Sequence, residues 1–118
     1  MANKQQLSLL KQGTLAWNEW RTKNPGVQPD LREASLTGAS LRGVNLSGAN
    51  LEGAELASID LQEANLLGAT VVEANLSEAN LQKAELGFAD LTFAHLNKAN
   101  LTTARLLGGS DGGKTDWR

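Results

Sequence analysis

The chain has 118 residues, 41% of them apolar but only five aromatic, with a formal net charge of −2 and no cysteine. That length accommodates one domain with an accessory element at an end, and the missing thiols exclude disulfides, thiolate catalysis and zinc–thiolate sites. Residues 1–28 carry Lys4, Lys11, Arg21 and Lys23 against Glu19, whereas residues 29–108 hold ten acidic and five basic side chains; neither segment has the charge density of a dedicated nucleic-acid binder.

The N-terminal residues, Met1 to Leu10, lack the apolar core of a secretory signal, and no stretch reaches membrane-spanning length, so a soluble cytoplasmic protein without a membrane partner is expected. Residues 5–22 predict a helix. Leu7, Leu10, Trp17 and Trp20 fall near one face, with Lys4, Lys11, Glu19 and Arg21 mostly elsewhere. Gly13 and Thr14 mark a bend or break, and Asn24-Pro25-Gly26 ends the element. The Leu/Trp face is expected to cover the end of the domain that follows, so residues 1–28 form an N-terminal helical cap. A ligand or partner site on the tryptophans is the weaker alternative.

From Leu31 to Leu106 a leucine recurs every fifth residue, with Val71 as the one substitution. Two positions before each stands a small residue, alanine at thirteen of sixteen places, with Pro29, Val44 and Ile59 as the exceptions. Sixteen Ala-x-Leu-x-x units thus fill residues 29–108 without insertion. A period of five suits neither regular element. On an α-helix it advances about 140° beyond a full turn, scattering the leucines around the cylinder. On a straight strand an odd spacing sends them to alternate faces. The pattern is satisfied when the chain turns a corner every five residues, with Leu and Ala inward and the other three positions toward water. The core expected is therefore thin, a repeated layer of leucine and alanine.

Runs such as Ala49-Asn50-Leu51-Glu52-Gly53 and Ala64-Asn65-Leu66-Leu67-Gly68 resemble the A(D/N)LXX motif of the pentapeptide-repeat family. The resemblance implies an all-β solenoid: a right-handed quadrilateral β-helix, four pentapeptides to the coil. Sixteen units would then make about four coils, a rod about 19 Å tall at about 4.8 Å per coil. The segment Leu9-Leu10-Lys11-Gln12-Gly13, with Trp17-Asn18-Glu19-Trp20-Arg21 and Asn24-Pro25, is similar to leaders that precede such repeats in cyanobacterial proteins, which implies a cyanobacterial member and supports the capping role. Residues 109–118, opening Gly109-Ser110-Asp111-Gly112-Gly113, read as a flexible tail. Either Trp117 folds back on the last coil or that end is open; the resemblance implies end-to-end pairing of copies in the second case.

No catalytic, cofactor or metal constellation is evident. His95 is the single histidine, at an outward position, and Glu33, Glu52, Glu73 and Asp90 share a wall without the spacing of a calcium loop. Gly38, Gly43, Gly48 and Gly53 follow the five-residue beat, as corner residues would. Asn45, Asn50, Asn65, Asn75, Asn80 and Asn100 precede leucines, where a short amide can bond the backbone of the corner. The surface feature that stands out is apolar. With four units per coil, Leu67, Phe88 and Leu107 fall on one wall and Phe93 one corner further, at positions that elsewhere are polar, which marks an interface with another molecule or a surface that the C-terminal tail with Trp117 covers. The function expected is a non-enzymatic structural or protein-interaction module with an unknown protein partner, or a homodimer formed through the C-terminal coil or the apolar wall. The alternative implied by the resemblance, a DNA-mimicking inhibitor of an enzyme such as a topoisomerase, is weakened by the small net charge and by Arg42, Lys83, Lys98 and Arg105 among the carboxylates. Nucleic acid is disfavoured as a partner.

Overall fold

The computed structural model describes residues 1–106; Leu107 and the tail with Trp117 lie outside them. Two helices come first, α1 (Lys4–Leu10) and α2 (Thr14–Lys23). The helix expected over 5–22 is thus two. Gly13 separates them with φ 111°, a conformation that side-chain-bearing residues avoid, and residues of both helices bond the first turn of the repeats. Asn3 caps α1, its Oδ1 accepting from the amides of Gln5 and Gln6 at 3.0 Å.

The repeats follow one rule. Every bridge joins residues 20 apart in parallel, from Asp30–Asn50 to Glu85–Arg105, so four pentapeptides complete one turn of the chain. Residues 30–49, 50–69 and 70–89 are successive turns and 90–106 begin the next. Each pentapeptide contributes one isolated bridge residue, the one before its leucine, rather than an extended strand. The rest of the unit is a corner. Leu61 accepts from the amide of Ala64 at 3.0 Å, and Glu63 between them has φ 59°, the positive angle that a type II turn needs at its third residue. Bonds to the next turn alternate with these corners: the Leu61 amide donates to Asn80 at 2.8 Å and the Asn80 amide returns to Ile59 at 2.9 Å.

The geometry sends the leucine and alanine ladders inward. From Leu31 to Leu96 every ladder leucine is at most 8% exposed, and Val71 and Ile59 are buried with them. A fully buried leucine contributes about 1.5–3 kcal/mol, the main return on ordering so open a chain. Towards the last described turn the core thins: Ala99, Leu101 and Ala104 are partly buried and Leu106 is exposed.

The asparagines act as their position suggests. Oδ1 of Asn45, Asn50, Asn65, Asn75, Asn80 and Asn100 each accepts the backbone N–H two residues on, at 3.0–3.1 Å. Asp30, Asp60 and Asp90 make the same bond. These side chains shape corners.

Candidate interaction surface

Four walls can be named by their bridge residues: wall 1 by Asp30, Asn50, Thr70 and Asp90; wall 2 by Ser35, Glu55, Asn75 and His95; wall 3 by Ser40, Asp60, Asn80 and Asn100; wall 4 by Asn45, Asn65, Glu85 and Arg105. The corner from wall 4 to wall 1 holds residues 67–68 and 87–88. The corner leaving wall 1 holds 72–73 and 92–93.

The apolar residues singled out from sequence sit on these two corners. Leu67 is 46%, Phe88 59% and Phe93 46% exposed; the fourth, Leu107, lies outside the described residues. Leu67 belongs to the column of Gly87 and Phe88 to that of Gly68, whose amide donates to the Gly87 carbonyl at 2.8 Å. Phe88 and Phe93 therefore stand at opposite edges of wall 1 in successive corners. Both are third residues of their turns, with φ 58° and 59°, a region bulky residues seldom occupy. Val72, half-buried in the column of Thr92, adds an aliphatic side chain to the corner of Phe93; the i+20 column places it there.

Wall 1 with its outgoing corner carries five carboxylates, Asp30, Glu33, Glu52, Glu73 and Asp90, and one cation, Arg32. Arg32 grips Asp30, Nε to Oδ1 at 2.8 Å and Nη2 to Oδ2 at 2.9 Å. The hydrogen bond from that guanidinium is the main reason the Asp30 carboxyl is held down at about 2. Arg32, Glu33, Glu52, Gly53 and Glu73 line a shallow open depression of about 330 Å³ that Met1 also borders. Its floor is Gly53, where a Cβ would stand 3.4 Å from Glu33 Cγ. Among the described residues no group of three or more His, Asp or Glu side chains could hold a metal ion. The same-wall acids of the sequence reading are thus neighbours but not ligands of one point.

The four cap residues expected from sequence divide by burial. Leu10 and Trp17 are fully buried, while Leu7 and Trp20 are partly buried against the same core, joined by Leu9. The Trp17 and Trp20 rings meet at 5.1 Å. Polar residues of the helices, which the apolar periodicity does not reveal, bond the edge of the first turn. Trp17 Nε1 and Arg21 Nη1 donate to the Asn45 carbonyl at 2.7 and 2.9 Å, Arg21 Nη2 donates to the Ser47 carbonyl at 2.9 Å, and Asn18 Oδ1 accepts from the Asn45 amide at 2.8 Å. On wall 1, Gln6 Oε1 accepts from the Asp30 amide at 2.7 Å and the Asn3 amide donates to the Asp30 carbonyl at 2.8 Å. Burial pushes the Arg21 guanidinium pKa down, and its Nε is buried with no partner among the described residues.

Comparison with known proteins agrees with this architecture. A family model, Pentapeptide repeats, matches residues 30–68 and 72–108 in eight copies. A pentapeptide repeat protein of Nostoc PCC 7120 is similar at 38% identity and TM-score 0.68, covering 80% of this chain and 76% of that one. One from the thylakoid lumen of Arabidopsis thaliana is similar at 28% identity and TM-score 0.68, over 75% of this chain and 59% of its own length. HetL, involved in heterocyst differentiation regulation in Nostoc sp. strain PCC 7120, is similar at 32% identity and TM-score 0.56, over 67% and 43%. The chain thus spans little more than half of the Arabidopsis protein and less than half of HetL. No curated protein matches it. The fold of these relatives is a right-handed β-helix, and no helix among the described residues is long and apolar enough to cross a membrane.

Proposed function

The chain belongs to the pentapeptide-repeat family, and on that premise we propose that it is a non-enzymatic protein-interaction module of the cytoplasm. In this reading residues 29–108 are a four-coil rod and residues 1–28 close its first coil. The rod presents rigid walls, and its partner binds at the corners bearing Leu67, Phe88 and Phe93.

One observation carries the reading. Phe88 is 59% exposed in a backbone conformation with φ 58°, where a non-glycine residue costs about 1–2 kcal/mol. The ring supplies nothing to the core in return. Glycine or a solvated Glu or Lys serves the same turn position elsewhere, as at Gly68, Glu63 and Lys83. A bulky apolar residue at a strained, exposed corner is accounted for by contact with another molecule. A second copy meeting this one at the C-terminal coil is a further mode of assembly, favoured by Leu106, a ladder residue that is 38% exposed. DNA mimicry draws no such support. Arg42 pairs with Glu63 at 2.9 Å on wall 3 and Arg105 with Glu85 at 3.3 Å on wall 4, breaking the continuous negative surface that a duplex presents.

The test compares the wild-type chain with Phe88→Glu in affinity capture from the native host and in sedimentation. Loss of a captured partner or of self-association, with the circular dichroism unchanged, is the expected result. An unaltered capture pattern and an unaltered sedimentation profile would overturn the assignment.

A further inference from the structure

This inference rests on the interaction reading and names the chemistry of the partner. We infer that wall 1, with phenylalanines at both edges of its last described turn, docks a basic polypeptide segment that carries apolar residues between its cations.

The charge of the repeat domain is gathered on this wall. Of the ten acidic and five basic side chains in residues 29–108, wall 1 with its outgoing corner holds five acids and one base, a net −4. Wall 2 holds Glu55 and Glu78 against Lys98, and walls 3 and 4 balance. The carboxylates of walls 3 and 4 include the cross-turn pairs Arg42–Glu63 and Arg105–Glu85. Wall 1 differs in kind. Its single cation is engaged by Asp30 in the first turn, and Glu52, Glu73 and Asp90 take part in no ion pair among the described residues. The negative potential is therefore least compensated in the turns where Leu67, Phe88, Val72 and Phe93 present apolar surface at the wall's two edges. The depression already receives one cation, the N-terminal ammonium, 3.7 Å from Glu33 Oε1.

These features select among partners. A phosphate backbone would be repelled by the wall, and a second copy presenting the same wall would set like charges face to face. A segment with Lys or Arg finds Asp90 in the middle of the wall, Glu52 and Glu73 along its outgoing corner and the Phe88 ring at the other edge. There a cation over a ring, or an aliphatic side chain beside it, is stabilised.

The experiment titrates the full chain into two fluorescein-labelled twelve-residue probes, one of alternating Leu and Arg, the other of alternating Leu and Glu, and reads anisotropy at low and high salt. Two variants locate the contact without disturbing the fold. Glu73→Gln combined with Asp90→Asn removes two charges, and asparagine makes the same corner bond at Asn65. Phe88→Gly removes the ring at a position whose φ of 58° suits glycine. The basic probe is expected to bind, to weaken at high salt, and to lose at least tenfold in affinity with either variant, while the acidic probe does not bind. The inference is overturned if the basic probe fails to bind, if both variants bind it as the wild type does, or if the acidic probe binds equally. In the last case a loss with Phe88→Gly would leave the interaction reading standing. Self-association abolished by the same variants would make a second copy the occupant, and probe binding that appears only after removal of residues 109–118 would assign the wall to the tail; either result also overturns it.

Discussion

The Trp17 indole donates to the Asn45 carbonyl oxygen at 2.7 Å, where one further turn of the solenoid would have placed a backbone amide. In the next turn down, the equivalent carbonyl, that of Asn65, accepts from the Leu46 amide at 2.8 Å. A side chain of α2 thus stands in for missing chain. The same holds for Asn18, whose amide group serves Asn45 and also donates to the Gly43 carbonyl at 3.1 Å. An open parallel edge recruits other chains unless its groups are satisfied, and here wall 4 and the start of wall 1 are satisfied by the two helices.

Separating the ring from the hydrogen bond in this contact gives the first prediction. Trp17→Phe keeps a six-membered ring in the core but loses the donor and part of the indole volume; since Arg21 also reaches the Asn45 carbonyl, the cost should be about 1–3 kcal/mol. Trp17→Ala leaves a cavity and should cost about 3–5 kcal/mol. Urea unfolding of the two variants measures both, and equal losses would refute the division.

A second prediction concerns the corners. Among the described residues ten non-glycine residues have φ between 57° and 62°, and all are third residues of their turns. Lys83→Gly should raise stability by about 0.5–1 kcal/mol, the relief of left-handed strain less the extra entropy of glycine in the unfolded chain. Gly68→Ala, at φ 67° with no atom within 4 Å of the added Cβ, should lower it by about 1 kcal/mol through strain alone. Thermal unfolding of the pair provides the check.

The Asp30–Arg32 pair supplies the third. Asp30 is held at about 2, chiefly by its hydrogen bond from Arg32. A carboxyl depressed in the folded state adds stability above its unfolded pKa, and that contribution is lost as pH falls through the folded value. The loss should therefore fall between about pH 4 and pH 2, and be small because the pair is exposed. Carbon-detected titration should give Asp30 a pKa near 2 and, in Arg32→Gln, a value near the usual aspartate 3.9. An unchanged titration in the variant would refute the cause.

Particular residues show how much of this was legible in advance. Leu31 and its successors at five-residue intervals announce a cornered chain because no straight element buries them together, and the asparagines before them announce their corner bonds because a short amide reaches only two residues along. Phe88 and Phe93 stood out as apolar residues in polar slots. Val72 did not, although it too fills a slot that is polar in most repeats. Its place beside Phe93 emerges only when residues 20 apart are stacked. Asn18 and Arg21 were equally hidden, because a polar residue on a helix gives no sign of the carbonyl it will meet.

From the order of its amino acids alone, this protein's five-residue beat, its inward ladders and its punctuated N-terminal helical segment could be derived, since each follows from local sterics and the burial of Leu and Ala. Tertiary structure alone decided which carboxylates keep company. The pairing of Arg42 with Glu63 and of Arg105 with Glu85, and the charge left over on wall 1, depend on side chains about 20 residues apart. Only the stacking of turns brings them within a few ångströms.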